Sequence, residues 1–385
     1  MSYYRERLEG LAGAGLLRGL RPVDSPQGPR VRVDGREVLC FCSNNYLGLA
    51  NHPQIVGAVQ RAVAEWGWGS GASRLVSGSM TPHHRLEARL AAFKRAEAAL
   101  LTPSGFQANL AAICTAVGPD DVVLLDKLNH ASIIDAARAS GARVRVFRHC
   151  DYDDLRKTLG QTTEHGRRLI VTDSLFSMDG DLADLKTLVA IKQHYDAILC
   201  IDEAHATGVF GSSGRGVAEA AGVEEHIDIT VGTLSKALGG MGGFVCGSRD
   251  FVDCVINTAR SFMYTTALPA AACAAAEAAL DLIDAEPERR RRLLAMTADL
   301  RAQWRQNGFD VAGSASQIVP LVVGDAQRTV DLAEALLDRG ILAPAIRPPT
   351  VPRGAARLRI SVCADHTPED VALLVDAVKA SFPAA

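Results

Sequence analysis

From about Asn44 to Thr265 the chain repeats one rhythm: short continuous apolar runs close in polar or glycine turns, with helical stretches between most of them. The runs are Val122–Leu125, Val144–Phe147, Leu169–Val171, Ile198–Ile201, Ile229–Val231 and Gly243–Cys246. Runs this short that alternate with helices predict a mainly parallel sheet covered on both faces. Ligands of such sheets gather at the carboxyl ends of the strands. The first forty or so residues predict an amphipathic helix and short strands near Arg30–Val33 and Val38–Phe41, spaced by Pro22, Pro26 and Pro29. After Pro269 the pattern gives an alanine-rich helix, then a charged helix from about Pro287 to Gln306. Strands at Ile318–Val323 and Arg357–Ser361 follow, with a helix over Val330–Arg339 between them. The expected organisation is an N-terminal helix with short strands (1–43), a large α/β domain (44–269) and a smaller C-terminal α/β domain (270–385).

Composition narrows the function classes. The 385 residues are 48% hydrophobic and 22% charged with a net charge of −3, the balance of a globular protein without a basic surplus for nucleic acid or an anionic membrane. The densest charge run, Arg289–Arg292, reads as the solvated start of a helix. The least charged stretch, Ser261–Ala276, contains Pro269 and is too short for a membrane span. Glu6 and Glu9 precede the first short apolar run and no cleavage site is evident, which argues against a secretory signal. The nine cysteines are odd in number, lack a C-x-x-C pair and lie partly inside apolar runs. Reduced, buried thiols in the cytoplasm are expected, and zinc is disfavoured.

Four features carry candidate chemistry. Asp202 ends the apolar run Ala-Ile-Leu-Cys-Ile, and a carboxylate at the mouth of a buried strand is costly unless something positive meets it. The protonated pyridine nitrogen of pyridoxal phosphate is one candidate, and a plain turn-capping Asp is the other. Lys236, in Thr-Leu-Ser-Lys-Ala-Leu-Gly-Gly, is either a surface lysine or an amine nucleophile in a small-residue turn. Residues 102–109, Thr-Pro-Ser-Gly-Phe-Gln-Ala-Asn, open a helix near Ser104 or Gly105, and free N–H groups there suit a phosphate. His130, after the strand ending near Asp126, either stacks on a flat ring or fills a structural role. Taken in order, these features all fall at strand ends of one sheet, the layout of an enzyme that binds pyridoxal phosphate through lysine.

Ser-Asn-Asn-Tyr-Leu-Gly-Leu (43–49), Phe-Ser-Met-Asp-Gly-Asp (176–181), Asp-Glu-Ala-His-Ala-Thr-Gly (202–208) and Gly-Thr-Leu-Ser-Lys-Ala (232–237) resemble the α-oxoamine synthases, fold-type I pyridoxal-phosphate enzymes that are typically homodimers. The resemblance runs from about Leu16 to His366. It implies a seven-stranded, mainly parallel sheet in the large domain. It also implies cofactor-phosphate contacts from Gly105, Phe106 and Thr233, ring stacking by His130, and Ser177 with His205 at the phenolic oxygen. Asp202 would hold the pyridine nitrogen and Lys236 would carry the cofactor, while Thr265 or Thr266 would complete the neighbouring subunit's phosphate site. Arg359 would clamp the amino-acid carboxylate with help from Asn44, and Arg21 and Thr350 would touch the acyl substrate. Lys236, His130 and Asp202 are the implied catalytic residues.

The segment Ala-Ile-Arg-Pro-Pro-Thr-Val-Pro-Arg-Gly (345–354) points within the family to condensation of L-alanine with a pimeloyl thioester, carried by coenzyme A or acyl carrier protein. Ser73 fits this, since it lies where glycine-restricted relatives carry a bulkier Thr. Glycine condensation with acetyl- or succinyl-CoA is the nearest competing expectation, followed by an aminotransferase and a non-enzymatic cofactor-binding module. A nicotinamide enzyme is disfavoured because no G-x-G-x-x-G opens a helix after the first strand.

Overall fold

The computed structural model describes residues 2–13, 16–162 and 166–381. They form two compact units. One comprises Met1–Tyr46, Met178–Gly180 and Arg292–Ala385, and the other Leu47–Ser177 with Asp181–Arg291. The first begins with α1 (Ser2–Gly13), β1 (Arg30–Val33) and β2 (Arg36–Cys40).

The chain then builds the larger unit: α2 (Pro53–Trp66), α3 (Thr81–Lys94), β3 (Ala98–Thr102), α4 (Gly105–Ala116), β4 (Val122–Asp126), α5 (Ala131–Ala139) and β5 (Arg143–Phe147). It continues through α6 (Tyr152–Gly160), β6 (Arg168–Asp173), α7 (Leu185–Tyr195), β7 (Ile198–Asp202), α8 (Val217–Ala221), β8 (Ile229–Thr233) and β9 (Gly243–Gly247). The helices α9 (Arg249–Thr258), α10 (Arg260–Met263) and α11 (Ala270–Ala285) follow. α12 (Pro287–Gln306) starts in this unit and continues into the first, which ends with β10 (Ile318–Gly324), α13 (Ala326–Asp338), β11 (Ile341–Leu342), β12 (Ala345–Ile346), β13 (Ala356–Ser361) and α14 (Pro368–Ser381).

The larger unit is organised by one seven-stranded sheet of order β3-β9-β8-β7-β6-β4-β5. All pairings are parallel except those of β9, which runs antiparallel to both β3 and β8. Central strands are apolar because both faces are covered: Val123, Leu125, Val171, Cys200, Val231 and Val245 join Ile113 and Ile133 in one buried cluster. Each such aliphatic side chain contributes about 1.5–3 kcal/mol on burial. Polar side chains start the intervening helices at the required places, with Ser104, Asp151, Asp184 and Ser248 accepting N–H bonds from the first turns of α4, α6, α7 and α9. The parallel register puts Asp173 directly beside Asp202, so the carboxyl ends of β6 and β7 are level. In the first unit, β1-β2-β11 and β10-β13-β12 form two three-stranded sheets.

The sheet has the predicted class and strand number, with differences in detail. β3 is absent from the apolar runs read off the sequence, because Ala-Ala-Leu-Leu-Thr is short, lacks β-branched residues before its last position and follows Lys-Arg-Ala-Glu, a helix-favouring run. α11 belongs to the larger unit, where it packs on α2 and α3, so the division falls after Arg291 and not near residue 270. α1 forms but buries no residue, so its expected apolar face has no partner among the described residues. Arg290, expected in a solvated charge run, is buried and donates to the carbonyls of Ile283 (2.8 Å) and Ser212. β11 and β12, two residues each, are too short to have been predicted, whereas α14 was legible and missed: Val371, Leu374, Val375 and Val378 stand at helical spacing. Among the described residues no helix is long and apolar enough to cross a membrane.

Candidate active site

All the predicted cofactor residues except Thr265 and Thr266 stand at or just after the carboxyl ends of strands of the large sheet. Ser104 caps α4, its hydroxyl accepting the Gln107 N–H at 3.2 Å, and the first intrahelical bond runs from Ala108 N–H to the Ser104 carbonyl. The N–H groups of Gly105 and Phe106 precede that bond and form the helix's electropositive opening. β9 starts hard against it: a Cβ on Gly243 would lie 2.5 Å from the Ser104 oxygen and 2.6 Å from the Gly105 nitrogen. Only glycine permits that approach. Thr233, buried at the end of β8, sits beside Gly105, and its hydroxyl donates to the Gly242 carbonyl (2.8 Å) while accepting from the Ser235 hydroxyl (2.8 Å). Lys236 follows, half-buried, in the turn closed by the Gly239 N–H bond to its carbonyl.

Asp202 is buried at the end of β7, and its carboxylate accepts the Ala204 N–H and the Asn109 side-chain amide, both at 2.8 Å. The same amide nitrogen donates to Ser132 Oγ at 2.9 Å, and Ser132 Oγ lies 2.7 Å from His130 Nδ1. The Ser132 N–H also donates to His130 Nδ1 (3.2 Å), which makes that nitrogen an acceptor and leaves the ring proton on Nε2. Asp202, Asn109, Ser132 and His130 are therefore one connected chain. His130 has an exposed edge, yet surrounding protein desolvates it and lowers its pKa. The Asp202 carboxylate opposes that shift and the Lys236 ammonium adds to it. Its backbone N–H donates to the Asp173 carboxylate at 2.9 Å. Burial, reinforced by neighbouring Asp202, raises the Asp173 pKa well above the usual range. His205 is buried and Ser177 half-buried on the segments after β7 and β6.

Thr265 lies against the start of its own chain's α4, accepting from Gln107 Nε2 at 3.2 Å, whereas Thr266 is exposed and bridges to Ser73. In the first unit Arg359 is buried on β13. It donates to Ser361 Oγ (2.8 Å), Asn44 Oδ1 (3.3 Å) and the Tyr46 hydroxyl (3.3 Å), so Asn44 and Arg359 do meet. Thr350 accepts from Arg18 at 3.4 Å, while Arg21 is exposed and 4.0 Å from Asp34.

Sequence reading assigned no role to Asn109, Asp173, Lys94 or His149. Asn109 had a signal: it stands four residues after Gly105, on the same face of α4. Lys94 Nζ, deeply buried, donates to Glu203 Oε2 and Thr207 Oγ1 at 2.9 Å each and to the Arg215 carbonyl, pinning the segment that carries Asp202 and His205.

Pyridoxal phosphate fits these residues. It needs an anion cradle, a carboxylate for its pyridine nitrogen and a nearby amine. The opening of α4 beside Thr233 and Ser235 would serve as the first, Asp202 as the second and Lys236 as the third. Asn109 Oδ1 is in addition a buried acceptor without a hydrogen-bond partner beside Asp202. Fold and site together define a fold-type I pyridoxal-phosphate enzyme.

The sequence pattern of the family described as aminotransferase class I and II matches residues 36–378, and the chain belongs to that family. It is 48% identical to the 8-amino-7-oxononanoate synthase of Geotalea daltonii, over 98% of this chain and 97% of that one. With the 8-amino-7-oxononanoate synthase of Geobacter sulfurreducens it shares 50% identity, over 96% and 95%. Among solved structures it resembles SPT with its PLP internal aldimine, at TM-score 0.93 and 31% identity over 98% of this chain and 96% of that one. The 8-amino-7-oxononanoate synthase of Francisella tularensis superposes at TM-score 0.77 and 27% identity, over 90% and 99%.

Proposed function

We propose that the chain joins L-alanine to a pimeloyl thioester, on coenzyme A or acyl carrier protein, giving 8-amino-7-oxononanoate, CO2 and the free thiol carrier in biotin biosynthesis. The observation that carries this is near-full-length identity of about one residue in two with relatives of that name, together with the Asp202–Lys236–His130 constellation. Bound at this site, pyridoxal phosphate supplies an electron sink for a carbanion at the amino acid's Cα.

The protein's own groups do the rest. Asp202, held by Asn109 and the Ala204 N–H, keeps a proton on the pyridine nitrogen. The opening of α4, with Gly105, Phe106 and Thr233, holds the phosphate, Thr265 or Thr266 completes the phosphate site of the neighbouring subunit, and Ser177 and His205 hold the phenolic oxygen. Arg359, with Asn44, grips the alanine carboxylate by paired N–H bonds and so fixes which Cα bond is broken. The Lys236 amine removes the Cα proton. Cα then bonds to the thioester carbonyl carbon as the C–S bond breaks and the thiolate leaves, taking a proton from water, after which the carboxylate departs as CO2 and Lys236 returns its proton to Cα. His130, with its proton on Nε2, faces the ring and donates to the oxyanion that develops during attack. Arg21 and Thr350 contact the acyl chain, and Ser73 leaves room for the alanine methyl group.

The active form is a homodimer, a reading supported by the exposed large apolar side chains Trp68, Leu75, Val76, Met241 and Tyr264 of the larger unit. The free cysteines fit a reducing cytoplasm.

The test mixes cofactor-loaded protein with pimeloyl-CoA, or pimeloyl-acyl carrier protein, and alanine, glycine or serine, following thiol release and product mass. Alanine-dependent thiol release with the mass of 8-amino-7-oxononanoate is expected. Release only with glycine or serine refutes the alanine assignment. Conversion of the cofactor to pyridoxamine phosphate without thiol release makes the protein an aminotransferase.

A further inference from the structure

Outside the constellation above lies a half-buried ionic cluster, built on His149 two residues beyond β5. Its Nδ1 is 2.8 Å from Asp126 Oδ1 and its Nε2 is 2.8 Å from Asp181 Oδ2, so both ring nitrogens point at carboxylates. Carboxylate oxygens only accept, and a proton on each nitrogen satisfies both contacts. Burial works against the resulting cation, but the bonds to Asp126 and Asp181 outweigh it and push the pKa up to about 12. The ring also meets Phe176 edge-on, with centroids 4.5 Å apart.

What the two carboxylates hold gives this bridge its meaning. Asp126 ends β4, and its side chain also accepts the N–H groups of Leu128 and Cys150 at 2.8 Å each. It thereby shapes the turn Asp126–His130. Asn129 of that turn donates to the Val171 carbonyl (2.8 Å) and accepts from the Asp173 N–H (3.2 Å), fastening the turn to β6. Asp181 closes the segment after β6, its carbonyl accepting the Phe176 N–H at 3.0 Å, and Ser177 is the next residue. One imidazolium therefore ties the turn that presents His130 to the segment that presents Ser177. Asp126, His149 and Cys150 are also close enough together to hold a metal ion. A metal bound there would have to take the place of the proton between His149 Nδ1 and Asp126.

We propose that His149 is a positioning residue that sets His130 and Ser177 against the cofactor by bridging Asp126 and Asp181 through its two ring nitrogens. This rests on the cofactor-binding reading of those two residues. Its loss acts on cofactor placement and not on substrate affinity. Asp126, Asp181 and Cys150 are the titratable groups that act on the ring, and the bonds to the two carboxylates keep it charged through the physiological range.

The experiment uses holoenzyme of wild type, His149→Asn, His149→Arg and Asp181→Ala. Three readouts are taken: the pH midpoint of the cofactor's visible absorption band, kcat against KM, and thermal unfolding. His149→Asn should move the band midpoint by about half a pH unit or more and lower kcat about tenfold with KM for alanine nearly unchanged. His149→Arg, which keeps the charge and can reach both carboxylates, should recover part of each. In the cofactor-free protein, 15N signals of the histidine side chains should show one imidazolium still doubly protonated at pH 9 and missing from His149→Asn. Should His149→Asn fail to fold, Asp181→Ala removes one anchor, keeps the Asp126 bond and gives the same readouts. A folded variant with wild-type band midpoint and kcat, whatever its melting temperature, overturns the proposal, and so does a neutral His149 at pH 9. Wild-type protein that releases no thiol refutes the reaction above, while the band midpoint and the 15N signals still decide the role of His149.

Discussion

Replacing Lys94 by Met tests whether the Asp202 segment is held from below. Lys94 Nζ is almost fully buried and bonds Glu203, Thr207 and the Arg215 carbonyl, while Glu203 is 1% exposed. Glu203 Oε1 also accepts the Ala218 N–H at 2.9 Å, so the Lys94–Glu203 pair joins α3 to both ends of the 203–218 segment. Methionine fills the space of the lysine stem but strands the Glu203 carboxylate, and an uncompensated buried charge of this kind costs about 3–5 kcal/mol. With an unfolding entropy of about 2.1 cal/mol/K per residue, the 385-residue chain would lose about 4–6 °C of melting temperature. Differential scanning calorimetry of holoenzyme measures it. The double variant Lys94→Met/Glu203→Gln removes both charges, so it should be more stable than the sum of the single losses by about 2 kcal/mol, the coupling of a shared network. Because Glu203 adjoins Asp202, cofactor affinity should fall in the single variant and partly return in the double. A Lys94→Met protein melting within 1 °C of wild type, or strictly additive losses, would refute the reasoning.

Lys236→Ala should abolish turnover, and borohydride reduction, which adds the cofactor's mass to the Lys236 peptide of wild type, should add none to the variant; turnover at the wild-type rate ends the assignment. Gly243→Ala puts a methyl group 2.5 Å from the Ser104 carbonyl, so the α4 opening must shift. Cofactor Kd, measured by fluorescence titration, should rise about tenfold while the far-ultraviolet spectrum stays unchanged. His366 stacks on Phe41 and accepts the Cys363 N–H at 2.9 Å; burial lowers its pKa to about 4, against partial opposition from Asp370. The unfolded chain therefore binds a proton that the native state refuses between pH 6.5 and about 4. Stability is full above pH 6.5 and falls by up to about 3 kcal/mol as pH drops through that window. Denaturation midpoints against pH should show this slope in wild type and a flatter one in His366→Asn; identical slopes would place the proton uptake elsewhere.

Much of the site was legible because strand ends announce themselves in sequence. Asp202 and Thr233 end apolar runs, Ser104 caps a helix, and the order of the motifs carries the cofactor assignment. Two of the misses share a cause, an ambiguous local pattern. β3 reads as more of α3, and Arg290 reads as surface charge until the carbonyls of Ile283 and Ser212 are found around it. The break after Arg291 was hidden for a similar reason, since an alanine-rich helix such as α11 can pack on either side of a division.

The sequence by itself indicated the sheet class through periodicity and turn chemistry, and the order and resemblance of its motifs indicated the cofactor and the residues expected at the carboxyl edge. Only the tertiary structure decided what holds them there. The Asn109–Asp202 bond spans 93 positions, Lys94–Glu203 spans 109 and His149–Asp181 spans 32. Such pairings are favourable only once the parallel register has brought strand ends level and packing has removed the water that would otherwise solvate the charges. No local pattern encodes them, because the same Asp, Lys or His left in solvent would read identically.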